Sequence, residues 1–265
     1  MYILFDIGGT KTRIAGTSDL ATFSEPKIID TPQSYEESLK AFADIAADVS
    51  GGALLKGVMI GAPRPDNLPQ WKGKDIARDV AVAIHAPEWH LENDAALVGL
   101  GEATFGAGQG AAVCAYYTVS TGVGGARIVN GHIDVSKHGF EVGGQYLTTA
   151  EPPASLEELV SGTAISKRYG MHPKSIPKDD PVWEELARLL AIGVHNTVVH
   201  WAPDRVVIGG SMMNEIGIPI PRVAEHLKRL LVKFDEVPEV VHSSLGELGG
   251  LWGGLARLRQ LSKQG

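Results

Sequence analysis

The hydrophobic positions along this chain fall into short apolar runs that alternate with longer stretches of helical periodicity. Runs of about four to eight apolar residues bounded by turn residues are typical of strands, whereas an apolar residue at every third or fourth position is typical of helices. The predicted strands are "MYILFDIG", "TRIAGTS", "LATFSE", "LKGVMIGAP", "EWHLEND", "AVCAYYTVSTG", "GGARIVNGHI", "DRVVIGGS" and "PEVVHSSLG". The predicted helices cover residues 34–49, 74–84, 95–105, 155–168, 182–201, 217–233 and 249–262. This interleaving predicts an α/β fold with a partly parallel sheet.

Two distant segments of the chain share one plan. Both "ILFDIGGTKTRIAG" and "YYTVSTGVGGARIVNG" contain an apolar strand, a polar residue, a glycine-rich turn and a second strand that carries an arginine. The repetition is consistent with two lobes that each offer a glycine-turn hairpin to one cleft. Two unrelated hairpins remain an alternative, because glycine turns are common wherever two antiparallel strands are joined.

Composition and charge exclude several classes of protein. The chain has 265 residues, of which 44% are hydrophobic and 21% charged, a composition typical of one large globular domain or two modest lobes. Its net charge of -7 disfavours non-specific binding to nucleic acid or to an anionic membrane. No apolar run is long enough to span a membrane, and no signal peptide is evident, so we expect a cytoplasmic protein. Cys114 is the single cysteine and lies in an apolar run, which predicts a buried thiol and excludes a thiolate metal cluster.

The glycine-rich turns are candidate phosphate sites, because backbone N–H groups without side chains around them can cradle an anion. The first turn offers Gly8, Gly9 and Thr10, and the second offers Thr121, Gly122, Gly124 and Gly125. Each turn leads into a strand rather than a helix, which matches neither a Walker loop nor a dinucleotide fingerprint. Asp6 lies just before the first turn, where a carboxylate beside bound phosphates is expected to hold magnesium through water.

Two further strand ends carry candidate functional residues. Gly209, Gly210 and Ser211 follow a buried strand, where a flat ring could approach the backbone closely or where a plain strand-to-helix turn could form. Asp94 follows Asn93 at the junction of a strand and a helix. An Asp at this position is often only a helix cap, but it could also take the proton from an attacking hydroxyl in phosphoryl transfer.

Other polar residues could bind the hydroxyls of a polyol. Glu141 lies in "FEVGGQYL", and Glu157 and Glu158 lie near a helix start in "SLEELVSGTA". Asn67 and Trp71 lie on a turn in "NLPQWKG". Surface charge and an ordinary proline-containing loop are the alternatives, and Glu158 is interpreted as surface charge.

The order of these motifs resembles that of the ROK family of sugar kinases over essentially the whole chain. The matching motifs are "DIGGTKTR", "GAPRPDNLPQWKG", "ENDAALVGLGE", "STGVGGARIVNG", "GFEVGG", "LEELVSGTA" and "PDRVVIGGS". The resemblance implies a two-lobed actin/hexokinase-like (ribonuclease H-like) fold with a central cleft. It implies a small lobe of residues 1–92, to which 249–265 return, and a large lobe of residues 93–248.

The resemblance also implies roles for individual residues. The nucleotide-binding residues would be Asp6, Gly8, Gly9, Thr10, Lys11, Thr12, Thr121, Gly122, Gly124, Gly209 and Gly210. The sugar-binding residues would be Asn67, Asn93, Asp94, Glu141 and Glu157. Asp94 would be the catalytic base, and Asp6 would orient Mg²⁺ through water.

The chain departs from the family pattern in the sugar loop. Gly144 stands where the family usually has a histidine that touches the sugar and often ligates zinc, and the following "TTAEPPASLEE" lacks the cysteines of the family's zinc knuckle. We therefore expect no zinc site. Gln145, His138 or His132 could compensate for the lost contact, although each is more typical of an ordinary loop residue.

The resemblance implies a kinase that uses ATP and Mg²⁺ to phosphorylate a hexose, with a glucose-like sugar and its 6-hydroxyl as the default. An N-acetylated hexosamine as acceptor and polyphosphate as donor remain alternatives. A non-catalytic sugar-binding protein is disfavoured because Asp94 and both glycine turns are retained. A sugar-responsive repressor of the same family is disfavoured by the negative charge and by a first strand that begins at residue 2. We expect a sugar and a nucleotide as ligands, no nucleic-acid or membrane partner, and a homodimer as an option.

Overall fold

The computed structural model describes residues 1–63 and 68–263. The strands are β1 Tyr2–Ile7, β2 Lys11–Thr17, β3 Lys27–Asp30, β4 Gly57–Ala62, β5 Trp89–Asn93, β6 Val113–Val119, β7 Val123–Val129, β8 His132–Ile133, β9 Arg205–Gly209 and β10 Glu239–His242. The helices are α1 Tyr35–Ser50, α2 Ile76–Ala83, α3 Asp94–Phe105, α4 Leu156–Val160, α5 Gly162–Tyr169, α6 Val182–Trp201, α7 Ile220–Leu230 and α8 Gly249–Leu261. Strands and helices alternate along the chain, which confirms the predicted α/β class. None of the helices in these ranges combines the length and the apolar character that a membrane crossing requires.

The chain divides into two compact units, one formed by Met1–Gly101 with Glu247–Gly265 and the other by Glu102–Gly246. The predicted lobes placed residues 93–101 in the second lobe, whereas contacts place them in the first unit. The physical reason is the close packing of α3 on α8, since a Cβ on Gly101 would lie 2.6 Å from the carbonyl oxygen of Gly249. As functional lobes, the predicted ranges stay a prediction.

The first unit is built on a five-stranded sheet with the order β3-β2-β1-β4-β5. Strands β1, β2 and β3 pair antiparallel, whereas β4 and β5 continue the sheet in parallel with β1. The core of this unit includes Phe5, Phe42 and Trp71, with ring centroids 5.2 Å apart between the two phenylalanines. Phe42 is buried together with Ser38 and Ala46 on α1, so one face of this amphipathic helix covers the sheet.

The second unit repeats the plan of the first. Its sheet has the order β10-β9-β6-β7-β8, with β6, β7 and β8 antiparallel and β9 and β10 added in parallel to β6. Read from β8, this is the same sequence of pairings as in the first sheet read from β3. The two segments that share a sequence plan therefore form equivalent hairpins, β1–β2 and β6–β7. The core includes Leu186, Leu190 and Val194 of α6, all fully buried.

Two sequence predictions of local structure are wrong. Residues 20–25 form no strand, and the third strand is β3 instead. The backbone there is engaged otherwise, because the Asp19 carboxylate accepts from the amides of Ala21 and Thr22, and Arg259 of α8 donates to the carbonyl oxygen of Ala21 at 2.8 Å. The predicted helix 155–168 is broken at Ser161, whose extended backbone and hydroxyl cap α5 by accepting from the amide of Ala164.

Candidate functional site

The first glycine turn joins β1 to β2 at residues 8–10 of the first unit. The amide of Gly8 donates to the carbonyl oxygen of Lys11 at 2.9 Å, which closes the turn. Thr31 braces it from the side, because its hydroxyl donates to the carbonyl oxygen of Gly8 at 2.7 Å and its amide donates to that of Thr10. Gly9 and Thr10 are exposed at the tip. The turn thus has a fixed conformation and an exposed backbone, as a phosphate site requires.

The two side chains that follow this turn are engaged within the first unit. Thr12 is fully buried, and its hydroxyl lies 2.9 Å from that of Thr31. The ammonium group of Lys11 lies 2.6 Å from the carboxylate of Asp30 on the neighbouring strand, with both side chains largely exposed. Thr12 therefore supports the turn through Thr31, and the predicted phosphate contacts of Lys11 and Thr12 stay predictions.

Asp6 is a buried carboxylate near the end of β1. It pairs in register with Arg13 on β2, whose guanidinium lies 3.6 Å from it. Burial raises the pKa of Asp6 to about 6, with Arg13 lowering it and Asp94 raising it. A Cβ on Gly250 would lie 2.3 Å from the Asp6 Cγ, so the first turn of α8 passes directly against this carboxyl group. The environment therefore contains one cationic partner, Arg13, and the N-terminus of α8. Both favour the Asp6 anion against the cost of burial.

Asn93 and Asp94 share the capping of α3. The side-chain oxygen of Asn93 accepts from the amide of Ala96 at 3.1 Å, which is the usual N-cap bond. The Oδ1 atom of Asp94 accepts from its neighbour's side-chain amide at 3.1 Å and from the backbone amide of Ala95 at 2.8 Å. Asn93 thus supplies the cap, and the carboxylate of Asp94 is oriented by two N–H donors at the edge of the sheet.

The topology of the first sheet brings the two acids together. β1, β4 and β5 are parallel neighbours, with Asp6 opposite Gly61 and Ala62 opposite Asn93. The carboxyl ends of these strands therefore meet at one edge, as expected for a ligand site in an α/β sheet. The side chains interact electrostatically, since Asp94 raises the pKa of Asp6.

The second glycine turn, residues 120–122, joins β6 to β7 in the second unit. The amide of Ser120 donates to the carbonyl oxygen of Gly122 at 2.8 Å. The carboxylate of Glu157 lies against the turn, because it accepts from the amide of Val123 at 2.7 Å and would meet a Cβ on Gly122 at 2.6 Å. Thr121 is exposed at the tip, and Gly124 is half-buried on β7.

The third glycine cluster lies beside the second turn. Gly210 follows β9 with a φ of 99°, and a Cβ there would lie 2.3 Å from the carbonyl oxygen of Val119 at the end of β6. Only glycine fits this backbone conformation and this approach. The hydroxyl of Ser211 lies 2.9 Å from that of Ser120, so the two turns are linked directly. Gly209 is buried at the end of β9.

The loop that carries Glu141 packs on β7. A Cβ on Gly143 would lie 2.2 Å from the carbonyl oxygen of Val123, the residue whose amide binds Glu157. Glu141 itself is exposed at the start of this short turn. The loop that follows Glu141 and the carboxylate of Glu157 therefore both pack against Val123, at the end of the second glycine turn.

Glu158 behaves differently from its neighbour. Its carboxylate accepts from the amide and the hydroxyl of Ser155, and the amide of Glu158 in turn donates to that hydroxyl. This is a capping box, which lowers the pKa of Glu158 through the Ser155 backbone amide. The sequence interpretation of Glu158 as mere surface charge missed this role. Asn67, a predicted sugar-binding residue, lies outside the described residues.

Three other residues of the two units escaped sequence reasoning. Arg13 pairs with Asp6, and its presence in "DIGGTKTR" is the signal that could have revealed it. Gly250 allows α8 to approach Asp6, and the run "GGLWGG" signals such close packing. Glu102 is fully buried and accepts from the amides of Ala107, Ser244 and Leu245, a partnership that only the fold reveals.

Known proteins share both the sequence pattern and the fold. The sequence model of the ROK family matches residues 2–260. The chain is 32% identical over 203 residues to a fructokinase from Pediococcus pentosaceus, covering 71% of this chain and 69% of that protein. It is 27% identical to an N-acetyl-D-glucosamine kinase from Citrobacter koseri, over an alignment that covers 96% of this chain and 97% of that protein. A ROK family glucokinase from Streptomyces griseus, solved with glucose and AMPPNP, has a TM-score of 0.81 at 22% identity, with 100% of this chain and 99% of that chain covered.

Proposed function

The chain belongs to the ROK family and is a sugar kinase, and from this premise we propose that it transfers the γ-phosphoryl group of ATP to the 6-hydroxyl of a glucose-like hexose. The observation that carries the proposal is that Asp6 and Asp94 interact electrostatically at the carboxyl edge of β1, β4 and β5, next to the first glycine turn. The occurrence of glucose and AMPPNP in the Streptomyces glucokinase structure supports the choice of donor and sugar.

Asp94 is the base in this mechanism. The sugar hydroxyl gives its proton to the Asp94 carboxylate as its oxygen attacks the γ-phosphorus, and the bond from that phosphorus to the ADP oxygen breaks. The N–H groups of Asn93 and Ala95 hold the carboxylate in one orientation. A positioned base requires such fixed geometry, because a proton is transferred efficiently only over hydrogen-bond distances.

Asp6 fits the role of a water-mediated magnesium ligand. Mg²⁺ keeps several waters and binds through one or two carboxylates together with substrate phosphates, so a cluster of protein ligands is not required. Among the described residues, no group of three or more His, Cys, Asp and Glu side chains could hold a metal ion by itself. When bound, the ion neutralises charge on the phosphates. The negative charge of Asp6 and the positive charge of Arg13 would then offset each other at the base of the first turn.

The second unit carries candidate binding groups of its own. The exposed backbone of the turn at Thr121 and Gly122 is suited to phosphate oxygens, and Gly210 presents a bare backbone that an adenosine can approach. Glu141 and Glu157 offer carboxylate oxygens as acceptors for sugar hydroxyls. Glu157 also keeps the turn in place through Val123, which links sugar binding to phosphate binding.

An N-acetylated hexosamine is the second candidate substrate. The full-length similarity to the Citrobacter N-acetyl-D-glucosamine kinase favours it.

A coupled ADP-release assay over a panel of hexoses, including fructose, and amino sugars tests the proposal. We expect turnover with ATP and a glucose-like hexose, with the phosphate at the 6-position by ³¹P and ¹H NMR of the product. A parallel arm with polyphosphate in place of ATP distinguishes the donors. If the folded protein turns over no sugar above the ADP background, or only at another hydroxyl, the proposal is wrong.

A further inference from the structure

The loop of residues 141–147 begins with Glu141, so the contacts that hold this loop also position Glu141. The family resemblance implies zinc-ligating histidine and cysteine residues in and after this loop. Here the donor set does not fit zinc, because residue 144 is a glycine and the single cysteine, Cys114, is fully buried in β6. No step of the proposed reaction depends on such an ion.

The side-chain amide of Gln145 occupies the centre of this loop. Its Nε2 atom donates to the carbonyl oxygen of Val142 at 2.8 Å, which closes the turn that begins after Glu141. Its Oε1 atom accepts from the side-chain amide of Asn196 on α6 at 2.9 Å. The residue therefore joins the loop to a helix through two directional bonds of the same planar group.

A buried hydroxyl pair supports this amide from below. The Tyr117 hydroxyl of β6 lies 3.5 Å from Gln145 Nε2 and 2.5 Å from the hydroxyl of Thr197 on α6, and it donates to the carbonyl oxygen of Gly193 at 3.2 Å. Tyr117 is fully buried, and burial raises its pKa to about 12, so it stays neutral and able to donate. A buried polar network with satisfied members is rigid and specifies one arrangement.

The network borders a groove of about 260 Å³ that is also lined by Glu141 and His200. Glu141, Gln145 and Asn196 thus line the same space. A shift of Gln145 would move the turn that precedes it, because its Nε2 bond to Val142 spans that turn.

We propose that Gln145 is a positioning residue for sugar binding, whose amide, anchored by Asn196 and Tyr117, holds the turn that presents Glu141. The inference rests on the proposed function for its catalytic consequence. The structural part of the inference is independent of the proposed function: a network of side-chain hydrogen bonds, rather than a bound metal, orders this loop.

Two measurements on Gln145→Ala test the inference, and Gly144→Ala is the matched control for the exchange measurement alone, because that Cβ meets nothing. In steady-state kinetics, we expect Gln145→Ala to raise the KM for the sugar at least fivefold while the KM for ATP stays within twofold. Gln145→Asn, which keeps the amide on a shorter chain, should restore part of the loss. In amide hydrogen exchange on the full chain, residues 141–147 should exchange at least tenfold faster in Gln145→Ala and unchanged in Gly144→Ala.

Unchanged exchange in Gln145→Ala would overturn the positioning role, and so would equal increases in the two KM values. If the wild type phosphorylates no sugar, the proposed function fails, yet the exchange comparison still decides the role of Gln145. Zinc-selective chelation of the wild type should leave the exchange of residues 141–147 unchanged, and acceleration there would show that a metal orders the loop.

Discussion

Gly250 lies where any side chain would collide with Asp6, since a Cβ at this position would be 2.3 Å from the Asp6 Cγ. This relationship places the first turn of α8 against the buried carboxyl group of β1. It explains the glycine at position 250 in the first turn of α8. The contact also joins Asp6, the candidate magnesium-orienting residue, to a helix far away in sequence. A substitution at either Asp6 or Gly250 can therefore test it.

The variant Gly250→Ala should destabilise the protein by about 2 kcal/mol, because the added methyl group forces Asp6 or the helix to move. We also expect kcat to fall, since the displaced carboxyl group can no longer orient the cation. Chemical denaturation and the ADP-release assay measure the two effects. Gly254→Ala on the same helix is the control, because its Cβ would meet only side-chain atoms of Met59 and Leu4 at 3.3 and 3.4 Å. Equal behaviour of the two variants would contradict the claim.

Asp94→Asn should lower kcat by about 10² to 10⁴ while sugar binding, measured by calorimetry, is preserved, because the amide keeps the shape but cannot accept the proton. The control is Asp75→Asn, which alters another acidic residue at a helix start, where the side chain accepts from the Arg78 amide. That variant should leave kcat unchanged. A similar loss in both variants would indicate that capping, and not base catalysis, explains the effect.

The pH dependence of stability should report the burial of Asp6. Its pKa of about 6 in the folded state lies above the ordinary value of 3.8, so the folded state holds the proton more tightly between these pH values. Unfolding free energy should therefore fall as pH rises from about 4 to 6. Relative to the wild type, Asp6→Asn should gain up to about 3 kcal/mol over this window.

A control with the opposite sign is Asp19→Asn, because backbone amides of Ala21 and Thr22 lower the pKa of Asp19. The stability of Asp19→Asn relative to the wild type should decrease as pH rises towards the ordinary value of 3.8, and stay level above it. Urea denaturation at a series of pH values measures both variants. A pH-independent difference for Asp6→Asn would show that its carboxyl group has an ordinary pKa.

Glu157→Ala should lower kcat/KM for both substrates by about tenfold, because it removes a predicted sugar ligand and leaves the Val123 amide without its carboxylate partner. The adjacent change Glu158→Ala should instead lower the stability by removing the capping box, with kinetic constants unchanged. Steady-state kinetics and thermal denaturation of the pair separate the two roles. A reversal of the two patterns would refute the assignment.

Removal of divalent cations with EDTA should abolish phosphoryl transfer, and Mg²⁺ should restore it without added zinc. The reason is that Asp6 and substrate phosphates suit Mg²⁺, whereas the loop at Gly144 lacks zinc ligands. Activity of the EDTA-treated enzyme followed during titration with each metal measures this. A requirement for zinc in addition to Mg²⁺ would contradict both assignments.

The sequence by itself determined the elements that depend on local patterns. Helix α6 spans Val182–Trp201 as predicted, because its apolar spacing and its flanking residues indicate the same helix. The β1–β2 hairpin follows from the apolar run and the Gly8–Thr10 turn. The α/β class and the family also follow from the sequence, because the order of the motifs is a property of the chain itself and needs no tertiary contacts. The strand predicted at residues 20–25 failed because Asp19 and Arg259 bind the backbone there, and periodicity does not report such contacts.

Only the tertiary structure decided which residues become partners. Asp6 and Asp94 interact electrostatically because β1, β4 and β5 are parallel neighbours, and Gln145 reaches Asn196 because the loop after β8 returns to α6. Glu157 and Glu158 are adjacent and chemically identical, yet one binds the second glycine turn and the other caps α4. The physical reason is that hydrogen bonds, burial and shifted pKa values arise from distances in space, and residues far apart in the chain acquire those distances only when the sheets and helices pack.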